Sequence, residues 1–138
     1  YANGINQSAD HSKIYVASTT GRKVMVYTRD IPSGALSLEE EIKVETGVDN
    51  IELDNQGALW IGCHPQLLKF VAHATDPAKF SPSQVIKITQ DKTGYVVEEI
   101  FLNDGTTYSG SSVAAIYNNT LLIGSVFEKS IILCTLSK

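Results

Sequence analysis

Polar side chains with oxygen donors stand directly ahead of alternating apolar stretches at three points of the chain. Asn3 precedes the first stretch, Asp49 and Asn50 precede the second, and Ser111 and Ser112 precede the third. Amide and carboxylate oxygens suit a hard cation such as Ca²⁺, which takes about six to eight oxygen ligands in irregular geometry. An isolated Asn or Asp at a strand start more often bonds the backbone. The recurrence at equivalent positions favours a ligand function.

Strands must position these residues, and strand signals dominate the chain. Short runs of β-branched and aromatic residues are bounded by Gly, Asn, Asp and Ser, without convincing helical spacing. The pattern predicts an all-β fold, and the length and composition of residues 1–138 predict one globular unit or a piece of one. Turn-forming residues at 54–57 and 118–119 are expected to close two hairpins. The predicted strands are 14–18, 23–27, 50–54, 59–63, 67–71, 96–102, 112–117, 121–125 and 131–134.

The hairpins repeat one plan at 2–18, 49–63 and 111–125, and a further strand follows each of them. Each hairpin has a polar residue, an alternating strand, a polar turn, and a second strand ending in Ala or Gly followed by Ser or Cys. Repeats of about 45 to 60 residues, each a sheet of about four strands, are typical of a β-propeller. A β-sandwich or barrel is the alternative. In a propeller the first strand of each blade lines the central channel, so the polar residues ahead of the hairpins would converge at one mouth.

Composition excludes several other classes of protein. The chain has 138 residues, 43% of them hydrophobic, which is enough to bury one core. Its formal net charge is −4, with acidic and basic residues scattered, so we expect no nucleic-acid partner. No apolar run approaches the ~20 residues that span a bilayer. The chain opens at Tyr1 rather than at a methionine, and we expect an upstream part.

Two cysteines and two glycosylation sequons leave alternatives open. Cys63 and Cys134 each end an apolar run where a small buried thiol packs well, and two free thiols or at least one disulfide are equally compatible with this placement. The sequons begin at Asn6 and Asn118, and both fall at predicted turns where Asn is favoured for backbone reasons.

Five sequence blocks, in this order and spacing, resemble the C-terminal half of the paraoxonase family. They are YANG at 1–4, VDN at 48–50, LWIGCHP at 59–65, GSSVAAIY at 110–117 and LLIGSVF at 121–127. The resemblance implies a six-bladed β-propeller of which this chain supplies about the last three blades. It also implies calcium-dependent hydrolysis of lactones and aryl esters. A non-catalytic propeller acting as a chaperone or interaction module is the alternative.

The resemblance also implies functions for individual residues. Asn3, Asp49 and Asn50 match residues that hold the catalytic calcium, and Asp49 and His64 are the candidate catalytic residues of this chain. As an alternative, His64 ahead of Pro65 is a loop residue that bonds backbone. Trp60 is expected to pack between blades. The residues matching the wall that contacts substrate are Ser112, Val126 and Phe127.

The remaining ligands and a histidine pair of the family lie in its N-terminal half, so this chain by itself is expected to be inactive. Cys134 matches a cysteine that bridges to that half, and Cys63 matches one that stays free. Departures from the family at Arg22, Met25 and Glu128 touch the channel rim, so substrate preference is not carried over. The resemblance implies a secretory-pathway protein, with membrane or lipoprotein association through the absent N-terminus.

Overall fold

Eleven strands and one short helix follow one another in the computed structural model, which describes residues 1–136. The helix, α1, spans Leu67–Thr75 and lies between β6 and β7. The strands are β1 Ala2–Gln7, β2 Lys13–Ser18, β3 Lys23–Arg29, β4 Leu36–Lys43, β5 Gly47–Leu53, β6 Leu59–His64, β7 Ser83–Asp91, β8 Gly94–Asn103, β9 Ser111–Tyr117, β10 Thr120–Ser125 and β11 Ile132–Thr135.

The strands form three antiparallel sheets, each built from consecutive segments of the chain. Their orders are β1-β2-β3-β4, β5-β6-β7-β8 and β9-β10-β11. The first strands of the three sheets are neighbours in space, because β1 packs beside β5 and β5 packs beside β9. The predicted all-β class is confirmed, and three copies of one simple meander lie side by side.

Two apolar clusters hold the sheets together, and strand alternation decides which residue enters which cluster. Ile61, Cys63, Ile86 and Ile88 of the second sheet face the first sheet. Their strand neighbours Trp60 and Val85 face the third. Since successive side chains point to opposite faces, the central sheet is buried on both sides. Trp60 therefore packs between two sheets, as the sequence predicted. The partners across the two interfaces include Tyr15, Ala17, Val24, Val26, Ile42 and Val44 on one side, and Tyr108, Ala114, Leu121 and Ile123 on the other.

Two glycines allow the sheets to approach closely near their first strands. A Cβ at Gly4 would lie 2.3 Å from the carbonyl oxygen of Asp49, and one at Gly62 would lie 2.3 Å from the backbone carbon of Ser112. No side chain fits at either position without displacing backbone. The glycines of the repeated blocks therefore act as spacers that bring β1 against β5 and β6 against β9.

The prediction of a strand at 67–71 is wrong, because this segment begins α1. The residues turned inward are Leu67, Phe70 and His73, a spacing of three that fits a helix. Pro65 precedes the helix and Asp76-Pro77 follows it, and leucine, lysine and alanine between them are good helix formers. The apolar run LLKFV is short enough to resemble a strand when its neighbours are ignored.

Two further strands were not predicted. β4 carries three successive glutamates, and seven of its eight residues are exposed, so it shows little alternation. β7, rather than residues 67–71, is the third strand of the second sheet.

The two cysteines are not bonded to each other: Cys63 is buried, and Cys134 on β11 is partly buried. Burial raises the pKa of the Cys63 thiol. Among residues 1–136, no helix is long and apolar enough to cross a membrane.

Candidate functional site

The polar residues predicted to converge lie on bulges of the three first strands. In β1, the two residues Asn3 and Gly4 lie between the pairs Ala2–Ser18 and Ile5–Val16, opposite a single residue of β2. In β5, Asp49 and Asn50 do the same between the Val48–Cys63 and Ile51–Ile61 pairs. In β9, Ser112 is the extra residue between the pairs Ser111–Ser125 and Val113–Gly124. A bulge redirects side chains and interrupts pairing. The same irregularity thus recurs at the same end of three sheets.

Asp49 is the centre of this group. Its carboxylate is nearly buried, with 6% of the residue exposed. One oxygen, Oδ1, accepts a hydrogen bond from the side-chain amide of Asn3 on the neighbouring sheet. The same amide also donates to Thr19 Oγ1 at 3.3 Å. The other oxygen of Asp49, Oδ2, lies 3.2 Å from Nε2 of His64. Asp49 therefore ties the first sheet to the second.

The Asp49 contact defines the state of the His64 ring. A carboxylate oxygen only accepts, so the N–H group at Nε2 donates this hydrogen bond to Asp49. Nδ1, the other ring nitrogen, is buried without a hydrogen-bond partner among residues 1–136. His64 is the last residue of β6 and is 2% exposed. The alternative in which His64 bonds backbone as a loop residue does not agree with this geometry.

Asn50 connects the second sheet to the third. Its side-chain nitrogen donates to the carbonyl oxygen of Ser112 at 3.1 Å. The donating nitrogen leaves the amide oxygen Oδ1 free to accept, and Asn50 itself is exposed. The three bulges are thus linked by side chains, through Asn3 and Asp49 on one side and through Asn50 and Ser112 on the other.

An aromatic group lies beside the His64 ring. Phe70 of α1 stacks on His64 with ring centroids 3.6 Å apart and planes 17° apart. Phe127, in the segment after β10, has its centroid 6.4 Å from that of Phe70. Phe127 and its neighbour Val126 are 42% and 47% exposed. These rings form one apolar surface that begins at His64 and ends in solvent.

His73 is a second buried histidine on this surface. It lies on α1, and its ring meets Phe127 edge-on with centroids 5.3 Å apart. Nδ1 lies 2.6 Å from the carbonyl oxygen of Lys79, which only accepts, so Nδ1 carries the proton. Nε2, the other ring nitrogen, is buried without a hydrogen-bond partner within the described part of the chain. Sequence reasoning missed both Phe70 and His73, and the inward spacing 67, 70, 73 is the signal that could have found them.

The donor set at the bulges fits a hard cation. The carboxylate of Asp49 is nearly buried, and no Lys or Arg pairs with it among residues 1–136. A buried carboxylate without a cationic partner is costly, so this position favours a positive charge nearby. Asn3 contacts this carboxylate and Asn50 follows it in the chain, and both residues carry an amide oxygen, which is a hard ligand. No cluster of three or more His, Cys, Asp or Glu that could hold a metal ion occurs in the described residues.

The structure brings most of the predicted site residues together. Asn3, Asp49, Asn50, His64 and Ser112 form one connected group. Val126 and Phe127 belong to the aromatic surface through the contacts of Phe127 with Phe70 and His73. Cys134 lies on β11, where it pairs with Leu121 of the adjacent strand, and it does not take part in the group.

Known proteins with similar sequences carry related names. The family profile described as Arylesterase matches residues 1–136. Serum paraoxonase/arylesterase 1 of Homo sapiens is 35% identical over 133 residues, which cover 95% of this chain and 37% of the relative. Serum paraoxonase/arylesterase 2 of Rattus norvegicus is 33% identical over 132 residues, which cover 94% of this chain and 36% of the relative. Serum paraoxonase/lactonase 3 of Oryctolagus cuniculus is 32% identical over 132 residues, which also cover 94% of this chain and 36% of the relative.

The chain thus spans little more than a third of the length of these relatives, at 36% to 37%. The profile match extends over all of the described residues, including the three bulges and α1. The chain therefore belongs to the paraoxonase and arylesterase family.

Proposed function

We propose that this chain supplies one part of a calcium-dependent hydrolase of lactones and aryl esters. The observation that carries the proposal is the nearly buried Asp49 carboxylate, held between Asn3 and His64 without a Lys or Arg partner in residues 1–136. Family membership supports the reaction class. The names of the relatives include both arylesterase and lactonase, which supports the two substrate types.

The architecture that we propose is a six-bladed β-propeller, with the three sheets as its last three blades. The adjacency of the first strands β1, β5 and β9 supports this arrangement, because first strands line the axis of a propeller. The chain would then be the C-terminal half of one propeller domain. The share of the relatives that it covers, 37% of the human one, leaves room for the preceding blades.

Asn3, Asp49 and Asn50 are the residues that would hold Ca²⁺. Three side chains are fewer than the about six to eight ligands of this ion. The others would come from water and from the part of the relatives that this chain does not span, so the chain alone is expected to be inactive. Lewis-acid polarisation of a lactone or ester carbonyl is the chemistry that a bound Ca²⁺ supplies.

The residues of this chain would orient the substrate and hold protons beside that site. His64 donates from Nε2 to Asp49, which leaves Nδ1 as the acceptor for a proton or a hydrogen-bond donor. Phe70 stacks on the ring and limits its rotation. Ser112, Val126 and Phe127 would contact the substrate, with the apolar Val126 and Phe127 excluding water from its organic part.

A secreted or membrane-associated protein is the localisation that we propose, from the serum origin in the names of the relatives. In that oxidising setting Cys134 would form a disulfide with the part outside this chain. Association with membranes or lipoproteins would involve that other part.

The experiment uses the complete gene product and follows hydrolysis of phenyl acetate and an aromatic lactone, with calcium and with a chelator. We expect chelation to abolish turnover and calcium to restore it. Asn50→Ala is expected to lower kcat/KM about 100-fold, a typical effect of losing one group that stabilises developing charge. Asn55→Ala, in an exposed turn, is the matched control and should leave turnover unchanged.

Normal turnover by Asn50→Ala, or activity that survives chelation, would contradict the proposal. A folded protein that hydrolyses no lactone or ester would favour the non-catalytic chaperone or interaction module.

A further inference from the structure

The chain has two N-x-Ser/Thr sequons, and their side chains have different environments in the fold. One is Asn6-Gln7-Ser8 and the other is Asn118-Asn119-Thr120. A glycan on the side-chain nitrogen of Asn requires that this nitrogen face open space in the folded protein, because the added sugar is bulky and hydrated. The contacts of each sequon therefore decide which of them can carry a glycan.

Asn6 is engaged with the neighbouring sheet. It lies inside β1, and its side-chain nitrogen donates to the carbonyl oxygen of Ile51 on β5 at 2.8 Å. β1 and β5 are packed so closely that a Cβ at Gly4 would lie 2.3 Å from the Asp49 carbonyl oxygen. A sugar on Asn6 would have to occupy this interface, and the sheets would separate.

The hydroxyl of the first sequon is engaged as well. Ser8 Oγ donates to Asp10 Oδ1 at 2.6 Å and accepts from the backbone N–H of Lys13 at 2.9 Å. These bonds form the turn between β1 and β2. Both functional groups of the first sequon thus belong to the folded structure.

Asn118 has the opposite environment. Tyr117 pairs with Thr120, so Asn118 and Asn119 are the two-residue turn between β9 and β10. Asn118 adopts φ 53°, a conformation that Asn tolerates in such hairpin turns. It is exposed, and neither its side chain nor the Thr120 hydroxyl makes a hydrogen bond within residues 1–136.

We propose that Asn118 is an N-linked glycosylation site of this protein and that Asn6 is not glycosylated in the folded molecule. β9 runs from Ser111 beside the candidate site to Tyr117, a length of about 20 Å. The glycan would therefore stand at the opposite end of the sheet and leave the approach to Asn50 and Phe127 open. The inference rests on the proposed passage through the secretory pathway.

The test expresses the complete gene product in a eukaryotic cell with a signal sequence that supplies entry to the secretory pathway. The secreted protein is treated with peptide-N-glycosidase F in heavy-oxygen water, and mass spectrometry locates each Asn that carried a glycan. We expect the label on Asn118 and none on Asn6. Asn118→Gln and Thr120→Ala should each remove it, whereas Asn6→Gln and Ser8→Ala should retain it.

Thr120→Ala keeps Asn at the positive-φ position, so loss of the label in this variant does not come from a disturbed turn. A glycan on Asn6 of the secreted protein, or an unmodified Asn118, would overturn the inference. Since glycan mapping does not measure hydrolysis, either result leaves the proposed enzymatic function to its own test.

Discussion

The Asp49 carboxylate and the His64 imidazole face each other across the β5–β6 hairpin, with Oδ2 3.2 Å from Nε2 and both residues nearly buried. The same carboxylate accepts from Asn3 of the adjacent sheet. One acidic side chain thus orients an imidazole and links two sheets.

Asp49→Asn tests the charge of this carboxylate while its shape is kept. We expect the affinity for Ca²⁺ to fall by about 10- to 100-fold or more. Substituting a residue that only hydrogen-bonds to a metal ligand already lowers metal affinity by that factor. Calorimetric titration of the complete gene product with Ca²⁺ measures this effect. Glu52→Gln removes one negative charge from an exposed position of the same strand and should leave the affinity unchanged. Equal affinities of Asp49→Asn and wild type would exclude Asp49 as a ligand.

Phe70→Leu tests the stack on His64. An aromatic contact of this kind is worth about 0.5 to 1.5 kcal/mol beyond burial, so kcat/KM for phenyl acetate should fall about two- to tenfold. A positioning effect should appear in kcat more than in KM, and Phe70→Tyr should restore it. Leu68→Ala changes a residue of α1 that is 87% exposed and serves as the control. The idea fails if Phe70→Leu lowers only the melting temperature and leaves kcat intact.

Gly62→Ala tests the close approach of β6 to β9. The new methyl group would lie 2.3 Å from the backbone of Ser112 and Val113, so the second and third sheets must separate. We expect a loss of about 1 to 3 kcal/mol in the free energy of unfolding, or more. Gly57→Ala introduces strain at φ 81° but meets nothing within 4 Å. Urea denaturation compares the two variants, and a smaller loss for Gly62→Ala than for Gly57→Ala would disprove the spacer function.

The buried thiol of Cys63 is expected to make the stability of the protein depend on pH. Burial raises the pKa of its thiol in the folded state, so folding favours the protonated form. The unfolded chain releases this proton near the ordinary thiol pKa of about 8.5. The contribution of Cys63 to stability is therefore fully present below that pH and is lost as the pH rises above it.

Denaturation of wild type and Cys63→Ala at pH 7.5 and 9.5 measures this contribution. The difference in unfolding free energy between the two proteins should shrink at the higher pH. Titration of the tyrosines and lysines is common to both and cancels. A difference that stays constant would mean that Cys63 titrates alike in both states.

The strand alternation in the sequence predicted the hairpins well, because a half-buried strand must place every second side chain in a core. The same periodicity brought Asn3, Asp49 and Asn50 to the start of first strands, where the structure joins them. The residue types also led to the expectation of a cation at these positions, which stays a prediction.

The bulges, α1 and β7 could not be predicted in this way. A bulge depends on the register of two strands, which the alternation of one strand does not reveal. Phe70 and His73 reach the aromatic surface only because residues 67–75 are helical. The five residues 67–71 read alone do not distinguish a helix from a strand, and the spacing 67, 70, 73 becomes visible only when the segment is read as far as His73. β7 pairs directly with β6 although α1 separates the two strands in the sequence, so this pairing joins residues that are distant along the chain.

The three candidate ligands stand on two bulges, with Asn3 in the first sheet and Asp49 and Asn50 together in the second. A substitution on one of these bulges replaces a polar side chain of one sheet and leaves the residues of the other bulges unchanged. Ser112 already occupies the third bulge with a short neutral side chain, in contrast to Asp49 and Asn50 on the second. The preference of such a site for an ion or a substrate can evolve one sheet at a time, without a compensating change in the apolar interfaces that hold the sheets together.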